Sequence, residues 1–315
     1  MTVAPPIDGT AVHEPPPSGA ASDVRKGGWF VRITIFIVVV LWLIPTVGVL
    51  VTSFRPEELV DTSGWWTALG HPFRSGSWTL ENYREALDAG GFENAFLNSV
   101  AVAVPATVLP ITIAAFAAYA FAWMEFRGRD VLFVLVVALL VVPLQIALIP
   151  ILRLYTGGAS LGGLTIIPDL DLNGTFLGVW LAHTAFGLPL AVYLLRNFIG
   201  SLPSSIIESA RIDGADHFTI FWRLVIPLSV PALAAFAIFQ FLWVWNDLLV
   251  AYVFLGGTRQ NRVLTIALQT LVPATGENWH LLTAGAFISM LLPLIVFFSL
   301  QRYFVRGLTA GSVKG

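Results

Sequence analysis

Residues 201–231 read SLPSSIIESARIDGADHFTIFWRLVIPLSVP. Ser205 followed by Glu208 matches a capping box, in which hydroxyl and carboxylate each satisfy a free amide at a helix start. A short helix then runs to about Asp213. Gly214 suits the left-handed residue that ends a helix, and Asp216 is placed to cap the next one. In that second helix Phe218, Phe221, Trp222 and Val225 recur at helical spacing, which makes one face apolar before Pro227 stops it. Two short helices joined at a glycine form a compact knob that needs a surface to pack against. An amphipathic helix resting in lipid headgroups answers the same pattern, and Glu208 by itself reads more readily as a cap than as a functional acid.

Outward from this knob the chain is strongly apolar. Of its 315 residues 57% are hydrophobic and 11% charged, and the mean hydropathy is +0.80, so much of the apolar surface must face lipid. Crossing the hydrocarbon core takes roughly 20 apolar residues, and such a run must be helical because lipid cannot satisfy open backbone groups. Six runs qualify: Ile33 to Val51, Asn98 to Met124, Val131 to Leu152, Phe176 to Leu195, Pro231 to Leu255 and Leu281 to Leu300. Pro45, Pro105, Pro110, Pro143, Pro189 and Pro293 lie inside them and mark candidate kinks. The fold class is thus an all-α integral membrane protein, with a six-helix domain over 29–315. Residues 1–28 combine Pro, Gly and Ser with few large apolar groups and read as a disordered tail. The first apolar run is long and begins beyond Trp29, so it reads as a retained span rather than a cleaved signal.

Basic residues orient the spans, because cytoplasmic loops retain Lys and Arg. With the amino terminus inside, the inner segments carry Arg25, Lys26, Arg127, Arg129, Arg196, Arg211, Arg223, Arg302, Arg306 and Lys314. Both termini and the 201–231 knob then fall on the cytoplasmic face. Trp29, Trp65, Trp66, Trp78 and Trp279 sit near span ends or in outer loops, as an interfacial aromatic belt would place them.

Composition excludes several chemistries. Lys26 and Lys314 are the only lysines, so no basic surface is available for nucleic acid. Cysteine is absent, which removes disulfides, thiolate nucleophiles and cysteine-held metals. The five histidines are scattered without ligand spacing. No Gly-Lys-Ser or Gly-Lys-Thr occurs, so any nucleotide must be held by another subunit. GGASLGG at 157–163 is turn material. Within the spans Asn246 and Asp247 follow Trp243 and Trp245, and an ionisable group at that depth either faces a translocation path or fixes helix packing. Gln145 near Pro143 is a weaker candidate for the path, and His183 reads as a packed imidazole. A secondary transporter would need more ion-coupling carboxylates than Asp247 alone, and an enzyme would need a nucleophile, base or metal constellation that the sequence lacks.

ESARIDGAD at 208–216, continued by Ile226, Pro227 and Leu228, resembles the EAA signature of the permease subunits of ABC importers. AFGLPLAVYLLRNFIGSLP at 185–203, WNDLLVAYVF at 245–254 and QRYFVRGLTAGSVKG at 301–315 resemble the carbohydrate branch, especially the smaller permease of maltose-type importers. Ser209 departs from the usual alanine but stays small. The resemblance implies the type I permease fold and a transport role rather than an enzymatic one. It assigns Glu208, Ser209, Ala210, Arg211, Asp213, Gly214, Ala215 and Asp216 to a coupling helix seated on an ATPase. It also implies a second homologous permease, two cytoplasmic ATP-binding subunits that hold ATP and Mg, and an extracytoplasmic sugar-binding protein. The location implied is the cytoplasmic membrane of a prokaryote. A permease for a non-sugar solute is the nearest alternative.

Overall fold

The computed structural model describes residues 28–89, 91–271 and 278–310, with side chains to Tyr303. The predicted tail up to residue 27, Lys26, and the last five residues of the terminal match with Lys314 lie outside the described residues. The unit ending at Gly48 is distinct from Val49–Gly315, and it holds most of helix α1, Trp29–Ser53, which is apolar along its whole length.

The described residues contain five helices long and apolar enough to cross a membrane, or six if one bent pair is counted as a single broken span. The straight ones are α1, α5 (Phe92–Trp123), α8 (Phe176–Gly200), the run His217–Trp245 and α14 (Trp279–Ala310). Short helices α2 (Glu57–Thr62), α3 (Trp66–Gly70) and α4 (Glu81–Asp88) fill the segment between the first two spans. There Asn82 donates from Nδ2 to the carbonyls of Ser53 and Arg55, at 2.9 and 2.8 Å, and so ties α4 to the end of α1.

Two predicted spans differ from the structure. Val131 to Leu152 is not one rod: α6 (Arg129–Ala138), with a 3-10 turn to Val141, meets α7 (Leu144–Gly157) at 106°. Pro143 cannot donate to the turn before it and pushes Val142 into extended backbone, ψ 115°, so the helix restarts in a new direction. The fifth span begins earlier and ends earlier than Pro231 to Leu255. Pro227 does not stop the knob's second helix. That helix, α10 (His217–Ile220), runs through a π turn at Phe221–Val225 into α11 (Ile226–Trp245). The wider turn lets the Ile226 amide reach back to the Phe221 carbonyl, and Pro227 then lies in the first turn of α11, where a missing N–H costs little. The span breaks after Trp245, and α12 (Leu249–Phe254) and α13 (Leu264–Thr270) follow. A hairpin of Ala159–Leu161 with Leu164–Ile167 is the one departure from all-α structure among the described residues. Its turn, Gly162 and Gly163 at φ 58° and 85°, has the positive values that a two-residue hairpin turn requires.

Prolines inside α5 and α14 leave carbonyls without their usual helical donor, and neighbouring spans supply one. Pro105 frees the Ala101 carbonyl, to which Trp180 of α8 donates at 2.8 Å. Pro110 frees that of Ala106, met by the Gln240 amide of α11 at 3.1 Å. Pro293 frees that of Ser289, met by the Trp245 indole at 3.0 Å. Lipid offers no donor, so each proline becomes a specific joint between helices.

Two apolar cores result. One gathers Phe92, Val102, Val179, Phe241, Trp245, Phe254 and Leu264. The other gathers Ala114, Tyr119, Leu195 and Ile199 from the far ends of α5 and α8 with Ile207, Ile220, Phe221 and Val225. The second core reaches into the 201–231 stretch, so the knob is an extension of the helix bundle.

Candidate functional site

The first knob helix, α9, spans Ser204–Ile212. The expected capping box does not form. Pro203, at φ −58° and ψ 124°, takes the capping position without a side-chain bond, which draws Ser205 into the first turn, where its hydroxyl no longer faces the free amides. The other end is as predicted. Gly214 has φ +82°, its amide bonds to the Arg211 carbonyl at 3.0 Å, and the Ala215 amide bonds to that of Ala210 at 2.9 Å. This pair of bonds is a Schellman motif, and the two alanines it joins pack on the second core. Asp216 caps α10, accepting from the Thr219 amide at 2.8 Å. Its bonds to Thr219 hold the carboxyl below the usual carboxylate range. The cap is therefore present at neutral pH and is lost as pH falls through that lowered value.

The predicted coupling residues divide by direction. Glu208, Ser209, Asp213, Gly214 and Asp216 are exposed, whereas Ala210 and Ala215 are half-buried against the chain's own core. Arg211 donates to the Trp123 carbonyl at the end of α5, 3.1 Å away. His217 Nδ1 lies 2.8 Å from the Tyr119 hydroxyl, also on α5. Phe221 stacks on Phe116 with centroids 4.6 Å apart. The apolar face read from sequence is thus split: Phe221 and Val225 are buried with Ile220, while Phe218 and Trp222 remain exposed.

Sequence reasoning missed Ile212. It is 86% exposed and Phe218 is 67% exposed, flanking the polar turn formed by Asp213 and Gly214. Large apolar groups exposed on both sides of a polar turn fit a surface that another protein covers. An isoleucine inside the otherwise polar RIDGAD was the available signal. Replacing Ile212 by aspartate is expected to lower retention of the docked subunit about tenfold in affinity co-purification, since buried apolar anchors carry over 1 kcal/mol each. Parental retention would remove Ile212 from the interface.

The structure places Asn246 and Asp247 at the break after α11 rather than within a continuous span. The Asp247 carboxylate accepts from the amides of Val250 and Ala251, at 3.3 and 2.9 Å, and so caps α12. Its other neighbour is His183 Nε2, 3.6 Å away on α8. His183 is wholly buried and edge-on to Trp243, the packed position predicted for it. Asn246 donates to its own helix at Leu242, 2.8 Å. Gln145 is exposed in the first turn of α7, beside the bend at Pro143.

Residues 110–310 match the family described as the binding-protein-dependent transport system inner membrane component. The chain belongs to this family. The permease is 58% identical to the osmoprotective compounds uptake permease protein GgtD of Synechocystis sp., over 90% of this chain and 91% of that one. It is 44% identical to the alpha-glucoside transport system permease protein AglG of Rhizobium meliloti, over 91% and 97% of the two chains. Its fold matches a subunit of a bacterial ABC transporter involved in the import of the acidic polysaccharide alginate, with a TM-score of 0.65 and 22% identity over 87% of this chain and 94% of that one. The permease is a multi-pass component of the inner membrane and acts in transport rather than as an enzyme. The matched region includes the loop at 204–216, in which the EAA-like residues lie on α9 and the Gly214 turn.

Proposed function

We propose that this chain is one permease subunit of an ATP-driven importer that carries a small glucoside across the cytoplasmic membrane. In this reading both termini and the 201–231 loop lie in the cytoplasm. The loop seats on one of two ATP-binding subunits, which hold the ATP and Mg, and a second homologous permease completes the pore. An external binding protein delivers the sugar. Asn246, Asp247 and Gln145 lie along the path, close to the two breaks in the helices, where unwound backbone offers polar groups to sugar hydroxyls.

The observation that carries the docking role is the exposed turn with Ile212 and Phe218 raised beside Asp213 and Gly214, on a loop buried in the bundle through Ile207 and Ile220. Such a loop can receive a push and pass it on without bending. The substrate class rests on relatives named for alpha-glucosides and for osmoprotective compounds; a small glucoside satisfies both descriptions. Relatives named for arabinooligosaccharides and for melibiose, raffinose and stachyose are also sugar permeases.

The test is uptake of labelled trehalose, sucrose or maltose into proteoliposomes holding the complete transporter, with its binding protein outside and ATP inside. Uptake that needs both ATP and the binding protein is expected, and uptake persisting after ATP depletion would overturn the reading. The face of the loop is tested separately. The chain has no cysteine, so Asp213→Cys is a unique target. An impermeant maleimide is expected to label it in inverted vesicles and not in intact cells; labelling from outside would put the loop on the wrong face.

A further inference from the structure

The loop at 204–220 is fastened to α5 at two points one helical turn apart. Arg211 donates to the Trp123 carbonyl at 3.1 Å, and His217 Nδ1 shares a hydrogen bond with the Tyr119 hydroxyl at 2.8 Å. The first comes from α9 and the second from α10, so the bonds bracket the Gly214 turn. Aromatic contacts back them: Tyr119 lies edge-on to His217, centroids 5.9 Å apart, and to Phe221 at 5.4 Å, while Phe116 stacks on Phe221. Trp123 carries the connection onward, since its indole donates to the Ile199 carbonyl of α8 at 3.1 Å. α5 and α8 share the most extensive packing of any two elements among the described residues.

We propose that Tyr119, His217, Arg211 and Trp123 form a latch that makes the loop and α5 one rigid body, so that displacement of the loop drives the α5–α8 pair directly as well as α11. The covalent path from the loop reaches α11 through the π turn at Phe221–Val225. The latch bypasses that segment. All four act here as positioning residues, through one another, and Tyr119 is 4% exposed. The ring of Tyr119 supports packing, and its hydroxyl supports the latch, so the two roles separate in Tyr119→Phe.

The inference rests on the importer reading, and its test is made on the complete transporter in proteoliposomes, where the parental chain first establishes ATP-driven uptake. Absence of that uptake would count against the importer reading and not against the latch. The quantity read is sugar imported per ATP hydrolysed, because simple loss of folded complex lowers both rates together and leaves their ratio unchanged. Tyr119→Phe is expected to lower this ratio about fivefold, the worth of one hydrogen bond, with the ATPase subunits still co-purifying in full. His217→Leu is expected to do the same, and the double variant to be no worse than either single one, because both remove a single bond. His217→Gln, which keeps a polar nitrogen and oxygen near the hydroxyl, is expected to recover most of the ratio. A parental ratio in Tyr119→Phe, or additive losses in the double variant, would overturn the latch.

Discussion

Replacing Gly214 by valine is expected to abolish most sugar uptake, at least about tenfold, while the spans still insert. Gly214 has φ +82°, and a Cβ built there meets nothing within 4 Å, so the obstacle is backbone strain rather than a clash. A left-handed backbone costs an ordinary L-residue about 1–2 kcal/mol, and a β-branched residue is a true outlier there. Valine would pull the turn towards negative φ. That would break the Ala215 to Ala210 bond of the Schellman motif and swing Ile212 and Asp213 relative to Phe218. Asparagine tolerates the left-handed region, so Gly214→Asn is expected to keep much of the parental rate. ATP-dependent uptake together with membrane content measures both, and valine transporting at the parental rate would exclude the turn as a docking geometry.

The second large effect lies in the bundle. Gln240 is 1% exposed and supplies the donor that Pro110 denies to the Ala106 carbonyl. Gln240→Leu keeps the volume but leaves that carbonyl unpaired among α5, α8 and α11. An unpaired buried group costs about 1–3 kcal/mol, although hydrogen bonds between membrane helices average nearer about 0.6 kcal/mol. A loss of about 1 kcal/mol is therefore expected, read as a lower melting temperature of the purified transporter. Gly187 faces the same amide: a Cβ there would approach the Gln240 Nε2 and Oε1 to 2.7 Å. Gly187→Ala is expected to push the amide off Ala106 and destabilise comparably, and combining it with Gln240→Leu should add little for that bond. Independent, additive losses would show that Gly187 matters for some other contact.

The residues of the loop show where reading from sequence succeeds. Gly214 and Asp216 were legible because their roles are local: positive φ and an amide cap are settled within three or four residues. The capping box at Ser205 and Glu208 was legible as a pattern but lost to Pro203, a stronger local constraint two residues earlier. Pro227 was misread for a less local reason: the π turn at Phe221–Val225 carries α10 into α11, so the proline falls in the first turn of α11 instead of ending the helix. The division of 208–216 into outward Glu208 and Asp213 and inward Ala210 and Ala215 likewise required knowing where α5 lies.

By itself the sequence determined that this chain is helical, that it spans a bilayer about six times, and that its one signal-bearing loop breaks at Gly214. Hydropathy and backbone stereochemistry act over a single turn or a single span, so they are written in consecutive residues. The tertiary structure alone decided which helix receives each freed proline carbonyl, which way Arg211 and His217 face, and that Asp247 caps α12 beside His183. Those choices join residues 44 to 134 positions apart, or belong to a fold-dependent break in the chain. For the freed proline carbonyls, pairing in lipid is compelled by the absence of water, but the partner is chosen only when the helices have packed.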